Sequence, residues 1–165
     1  PAQHLDPADV PRFNQLGVIA SMQAIHAISD GPWVPARVGP ERAQAGAYPW
    51  RSLIQSGAIV TTGTDVPVEA IDPLANYEAA VTRRRGDGEA FFPAQRMTPL
   101  EALRAATIQA AYAAFEEGEK GSLEVGKLAD VVVLSQDLLR IPDSRIGETT
   151  VVYTILDGKV AYAAP

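Results

Sequence analysis

Along the first two thirds of the chain, short apolar runs of strand length alternate with stretches of helical character. Val18-Ile19-Ala20-Ser21-Met22 and Ala58-Ile59-Val60-Thr61-Thr62 are too short for helices and are closed by polar or turn-forming residues, so they read as strands. A short helix is predicted over residues 6–13, with Asp6 as its cap, Pro7 at the first helical position and Gly17 as the stop. Residues 30–49 are rich in Pro and Gly, notably Asp30-Gly31-Pro32 and Gly39-Pro40, and predict a long loop of the kind that often carries function. Pro49 opens a helix through Ser56, and Gly57 ends it. Gly63-Thr64-Asp65-Val66-Pro67 makes a sharp turn after the second strand. Asp72-Pro73-Leu74 caps a helix to about Arg85, and residues 86–93 form a loop. Thr98-Pro99-Leu100-Glu101 has the capping-box pattern, and Leu100, Leu103, Ala106, Thr107, Ala110 and Ala114 are the buried stripe it predicts.

After Gly118 the texture changes. Ala129-Asp130-Val131-Val132-Val133-Leu134, residues 149–156 and Lys159-Val160-Ala161-Tyr162 read as three strands, the last two joined at Asp157-Gly158, a strong hairpin signal. The chain therefore divides at about residue 118 into alternating β/α units (1–117) and a β-rich segment (118–165), with no internal repeat.

Composition narrows the classes. The 165 residues suffice for one ordinary domain, and 47% hydrophobic with 21% charged residues argues against disorder. Net charge is −6, and the one basic run, Arg83-Arg84-Arg85, is too short to make nucleic acid a leading partner. It is expected as the solvated end of a helix, where cations suit the dipole. With no cysteine, disulfides and thiolate metal sites are excluded. No apolar run approaches the roughly 20 residues that span a bilayer, so no membrane partner is expected. The opening Pro-Ala-Gln-His-Leu is no signal peptide, and without an initiator Met it is expected to be a chain boundary set by cloning or processing. Location stays open, with the cytoplasm slightly favoured.

Two positions stand out for chemistry. His26 follows the strand ending in Ser21-Met22-Gln23, and Asp65 follows the one ending in Thr62-Gly63-Thr64. In α/β folds, chemistry sits at the C-terminal ends of strands. A neutral imidazole is a common metal ligand, and a carboxylate can both touch a metal and accept a proton. The same two residues also fit a loop histidine and a helix-capping aspartate. Asp30 and Glu69 are polar neighbours of the strand ends with an expected structural role, and His4 is expected to be exposed. Trp33, Arg37, Arg42 and Trp50 lie in or beside the long loop, where a structural role is expected over substrate contact. There is no phosphate loop and no nucleophile elbow.

Longer motifs shift the balance. Gly121-Ser122-Leu123-Glu124-Val125-Gly126-Lys127-Leu128-Ala129-Asp130-Val131-Val132-Val133-Leu134 resembles the stretch by which amidohydrolase-superfamily chains leave their barrel and enter a flanking β domain. Residues 21–30, Ser-Met-Gln-Ala-Ile-His-Ala-Ile-Ser-Asp, resemble the sixth-strand segment of the YtcJ-like amidohydrolases, the group that includes N-substituted formamide deformylase. Tyr48-Pro49-Trp50-Arg51-Ser52-Leu53 resembles their next helix, and Gly63-Thr64-Asp65-Val66-Pro67-Val68-Glu69 their eighth-strand turn. The order and spacing fit along nearly the whole chain.

The resemblance implies the C-terminal portion of a (β/α)8 barrel, about strands six to eight, followed by strands of the flanking β domain. It implies a divalent metal, usually zinc, with His26 as the strand-six ligand and Asp65 as the strand-eight ligand. Asp65 would also be the catalytic base, taking a proton from a metal-activated water and passing it to a leaving nitrogen. The implied substrate is a small molecule with an amide or related C–N bond. The family's His-x-His pair is absent, and of its Glu-His-Ala-Gln motif only Ala2-Gln3 match, with Pro1 at the histidine position. Two ligands fall short of the three protein ligands of a catalytic zinc site. The isolated chain is therefore expected to be inactive and to need the N-terminal half of the barrel, or a homo-oligomer partner. A non-catalytic binding or scaffold module is the alternative.

Overall fold

The computed structural model describes residues 2–165; Pro1, and with it the expectation about the missing histidine, lies outside the described residues. The two apolar runs become β1 (Ala20–Met22) and β2 (Val60–Thr62). They pair in parallel, with Ala20 opposite Val60, Ser21 opposite Thr61 and Met22 opposite Thr62. A parallel pair needs a long crossover. Here it is helical: α2 (His26–Asp30), α3 (Val34–Val38), α4 (Pro40–Gly46) and α5 (Trp50–Gln55), while α1 (Val10–Gln15) precedes β1.

Several expectations are corrected at this level. About three barrel strands were expected, and among the described residues this sheet holds two, adjacent to each other. The predicted loop at residues 30–49 is mostly helix. Pro35 and Pro40 sit in the first turns of α3 and α4, where a missing N–H costs nothing, and Gly39 at φ 89° makes the break between them. The first helix begins at Val10 rather than near Asp6, because the Asp6 carboxylate accepts from Ala8 N at 2.9 Å and closes a local turn instead.

After β2 the chain forms α6 (Pro73–Thr82), α7 (Pro99–Ala106) and α8 (Ile108–Ala113). Asp72 caps α6 as expected, accepting from Leu74 N and Ala75 N at 3.0 and 3.1 Å. The Thr98–Glu101 capping box opens α7. The helix expected to run on from there breaks at Thr107, whose hydroxyl donates to Leu103 O at 2.7 Å. The predicted stripe is not the buried face: Ala102 and Ala105 of α7 and Ala111 of α8 are buried, whereas Leu100 is 51% exposed. Small alanines let α7 sit close against α6 and β2.

The basic run also differs from expectation. Arg83 follows the last turn of α6 in the left-handed region (φ 52°), and its side chain is fully buried. Its guanidinium lies 4.2 Å from the centre of the Trp50 ring and donates to the backbone carbonyls of Tyr48 and Phe91. Burial lowers its pKa to about 9. Arg84 and Arg85 stay towards solvent.

The C-terminal strands β3 (Val131–Leu134), β4 (Val151–Leu156) and β5 (Lys159–Ala163) form a separate antiparallel sheet. Asp157 and Gly158, at φ 50° and 72°, make the turn between β4 and β5 with both residues left-handed, as a tight hairpin requires. Val132, Val133, Tyr153, Val160 and Tyr162 of this sheet are exposed. The segment between β3 and β4 buries Leu138 and Ile146 in the core, and Tyr77 of α6 donates to Leu138 O at 3.0 Å. No helix among the described residues is long and apolar enough to cross a membrane.

One ion pair joins the helices around β2. Arg51 of α5 reaches both carboxylate oxygens of Glu101 in α7 at 2.8 and 2.6 Å, and also donates to Arg96 O. The hydrogen bonds from Arg51 hold the Glu101 carboxyl at about 2, against an ordinary 4.5. The unfolded chain then binds more protons than the folded one between those values. The pair's contribution is present above pH 4.5 and fades as pH falls towards 2. Glu101→Gln is expected to lower Tm at pH 7 and to flatten the loss of Tm between pH 4.5 and 2, measured by thermal melts across pH.

Candidate functional site

Parallel, in-register pairing makes β1 and β2 end side by side, and Gly63 N extends the ladder by donating to Met22 O at 3.1 Å. The segments that carry His26 and Asp65 therefore leave the sheet at the same end. His26 is the first residue of α2 and is 7% exposed. Its Nδ1 faces the side-chain amide of Gln3 at 2.7 Å, while its Nε2 is buried with no hydrogen-bond partner. A buried ring nitrogen left bare is costly. It is what a metal-ligating imidazole presents when the metal is removed.

Asp65 lies three residues past β2. It is exposed, and it holds a left-handed backbone at φ 56°, which aspartate tolerates better than most residues. Its carbonyl accepts from Val68 N at 2.8 Å, closing the turn that presents the carboxylate. An imidazole and an exposed carboxylate suit a divalent metal. Among the described residues, however, no three His, Cys, Asp or Glu side chains gather to hold an ion by themselves. The donors here fit part of a centre.

Asn76, which sequence reasoning missed, holds the two strand ends together. Buried in α6, it donates from Nδ2 to Thr62 Oγ1 at 2.8 Å and accepts at Oδ1 from Ile25 N at 3.1 Å. It thus grips the last residue of β2 and the residue before His26. The available signal was a polar residue within the apolar face of Tyr77, Ala80 and Val81. Asp30 and Glu69 carry structural contacts, as expected: Asp30 accepts from the Tyr48 hydroxyl, and Glu69 from the Ser29 hydroxyl. Burial and the Asp30 carboxylate push the Tyr48 phenol well above its usual pKa. His4 is exposed, with its ring edge-on to Tyr48 at 5.4 Å. Trp50 is buried in the core, whereas Trp33 is at the surface with Arg37 5.8 Å from its ring. A cavity of about 500 Å³ lined by Ile59, Arg104, Ile108 and Tyr112 lies by the start of β2, at the opposite end from this cluster.

The family model for amidohydrolases matches residues 2–162, so the chain belongs to the amidohydrolase family. It is 42% identical over 135 residues (81% of the chain, 23% of the relative) to Protein LONG AFTER FAR-RED 3 of Arabidopsis thaliana. With the YtcJ amidohydrolase of Bacillus subtilis it shares 29% over 164 residues, which is 98% of the chain and 31% of that protein. With the N-substituted formamide deformylase of Arthrobacter pascens it shares 33% over 115 residues, 70% of the chain and 21% of the relative. Among solved structures, a metal-dependent hydrolase of Pyrococcus horikoshii superposes with a TM-score of 0.76 at 29% identity, covering 87% of this chain and 29% of that one. The chain thus spans less than a third of the length of each. These likenesses bear out the resemblance to YtcJ-like amidohydrolases and the fold as part of that family's barrel.

The Asn76 clamp leads to a prediction. Asn76→Ala leaves Ile25 N and Thr62 Oγ1 without their partner, at about 1–3 kcal/mol for each group that water does not reach. Chemical denaturation should show that loss. Hydrogen exchange should speed up at Ile25, next to His26, with little change in the β3–β5 sheet.

Proposed function

We propose that this chain supplies the C-terminal barrel units, residues 1–117, and part of the flanking β domain, residues 118–165, of a metal-dependent hydrolase acting on amide or related C–N bonds. The observation that carries the reading is the buried, unpartnered Nε2 of His26, at the strand end that also presents Asp65. His26 would hold a divalent metal, zinc first, through that nitrogen, with Asp65 as a second ligand and the remaining donors coming from the rest of the barrel. When bound, such a metal polarises a carbonyl and lowers the pKa of its water towards about 7.

The chain's own residues then have distinct tasks. Asp65, on its left-handed turn, takes the proton of the attacking water and delivers it to the leaving nitrogen, so that the amine departs neutral. Asn76 keeps the His26 segment and the end of β2 in fixed relation. Acylated amines, formamides and cyclic amides all fit this chemistry. The isolated chain is inactive on this reading, because two donors do not complete the site; the other barrel strands supply the rest. That same shortage favours a second reading, a binding or scaffold module that oligomerises through its open sheet edges.

In the complete protein, His26→Ala and Asp65→Asn are each expected to cut amide hydrolysis by about 10²–10⁴-fold while circular dichroism and the thermal melt stay close to wild type. The readout is kcat/KM on a panel of formamides and acyl amines. An active double variant would sink the hydrolase reading of these two residues.

A further inference from the structure

The main chain around Gln3 is tied down on both sides. Ala2 N donates to Ser21 O of β1 at 3.1 Å, Leu5 N donates to Gly46 O at 3.0 Å, and Gln3 O accepts from Tyr48 N at 2.6 Å. With its main chain held on both sides, the side-chain amide is delivered to His26 Nδ1 at 2.7 Å. A neutral imidazole carries one proton, and the partner of one ring nitrogen decides which nitrogen has it. An amide N–H donated to Nδ1 would place the proton on Nε2 and leave that nitrogen without a lone pair to offer. Rotating the amide by 180° exchanges its oxygen and nitrogen with no movement of the backbone. The oxygen then accepts the Nδ1 proton, and the Nε2 lone pair is free.

We propose that Gln3 is a positioning residue for His26: its amide oxygen accepts Nδ1–H and so fixes the tautomer in which Nε2 can bind a divalent metal. The inference rests on the reading of His26 as a metal ligand. Three observations carry it: the 2.7 Å contact, the bare and buried Nε2, and the anchored backbone of Gln3. Outer partners of this kind orient ligating histidines and raise their basicity. A glutamine suits the position because it can pair with either tautomer: it donates to Nδ1 when the metal is absent and accepts from it when the metal is bound.

The test is zinc affinity of the complete protein, by competition with a chromophoric chelator, for wild type, Gln3→Met, Gln3→Glu and His26→Ala, with metal-free melts alongside. Gln3→Met keeps the bulk and removes the acceptor, so zinc should bind about 10–100-fold more weakly. Gln3→Glu keeps an acceptor and should restore affinity to near wild type, a rescue that a packing role does not predict. Equal affinity in wild type and Gln3→Met, with His26→Ala impaired, overturns the role of Gln3 and leaves the metal site standing. Wild-type affinity in His26→Ala overturns the metal reading itself. Weak binding by both Gln3 variants also overturns the proposal. Nitrogen-15 spectra of zinc-loaded wild type give a check independent of any variant: a proton on His26 Nδ1 is expected, and one on Nε2 contradicts the proposal.

Discussion

The candidate site depends on one constraint, the parallel, in-register pairing of β1 and β2. Strand pairing of that kind fixes which ends of the strands lie together, and a slip of one residue would turn every side chain to the other face. The pairing is short, three residues on each side, so it needs support from outside the sheet. Asn76 gives that support at the C-terminal ends, and the alanine faces of α7 allow close packing against β2. Both candidate residues leave the sheet at the gripped end. The cavity of about 500 Å³ lies at the other end and has neither His26 nor Asp65 in its wall.

A second layer of order comes from buried polar groups in the crossover and beyond it. Arg83, Tyr48, Trp50 and Phe91 pack together with the cation over the Trp50 ring and its N–H groups on backbone carbonyls. A buried guanidinium with no carboxylate among these partners costs solvation, and ring contact and carbonyls offset part of it. The cost is accepted where the geometry matters: Tyr48 O receives Arg83, Tyr48 N donates to Gln3, and the Tyr48 hydroxyl holds Asp30 at the end of α2. The same residue therefore links the core to both sides of His26.

Much of this was legible in the sequence, and the failures have physical causes. The two barrel strands, the Asp72 and Thr98 caps and the Asp157-Gly158 turn were readable because each rests on local chemistry. Pro and Gly in residues 30–49 suggested a loop, yet proline at a first helical turn and a glycine between helices also build short helices, and composition does not separate the two. The stripe on α7 failed because the face turned inward is that of Ala102 and Ala105, small residues that pack against α6 and β2, and this leaves Leu100 outside. Arg83 failed because a left-handed residue after α6 turns the side chain inward, against the general expectation for arginine. For the site, His26 and Asp65 came from motif and position. Gln3 matched the Glu-His-Ala-Gln motif, but its contact with His26, 23 residues away, was not readable, and Asn76 was missed because its partners are 14 and 51 residues away in the chain.

Membership of the amidohydrolase family rests on a match over residues 2–162. In the proposed function, His26 and Asp65 would be this segment's share of one metal centre. The most direct measurement is a crystal structure of the complete protein grown with zinc, with diffraction data collected on both sides of the zinc absorption edge. The account predicts an anomalous peak about 2.0–2.1 Å from His26 Nε2 and within about 2.2 Å of an Asp65 carboxylate oxygen. A fully occupied zinc site elsewhere in the barrel, with His26 Nε2 still bare or bonded to protein, would contradict it.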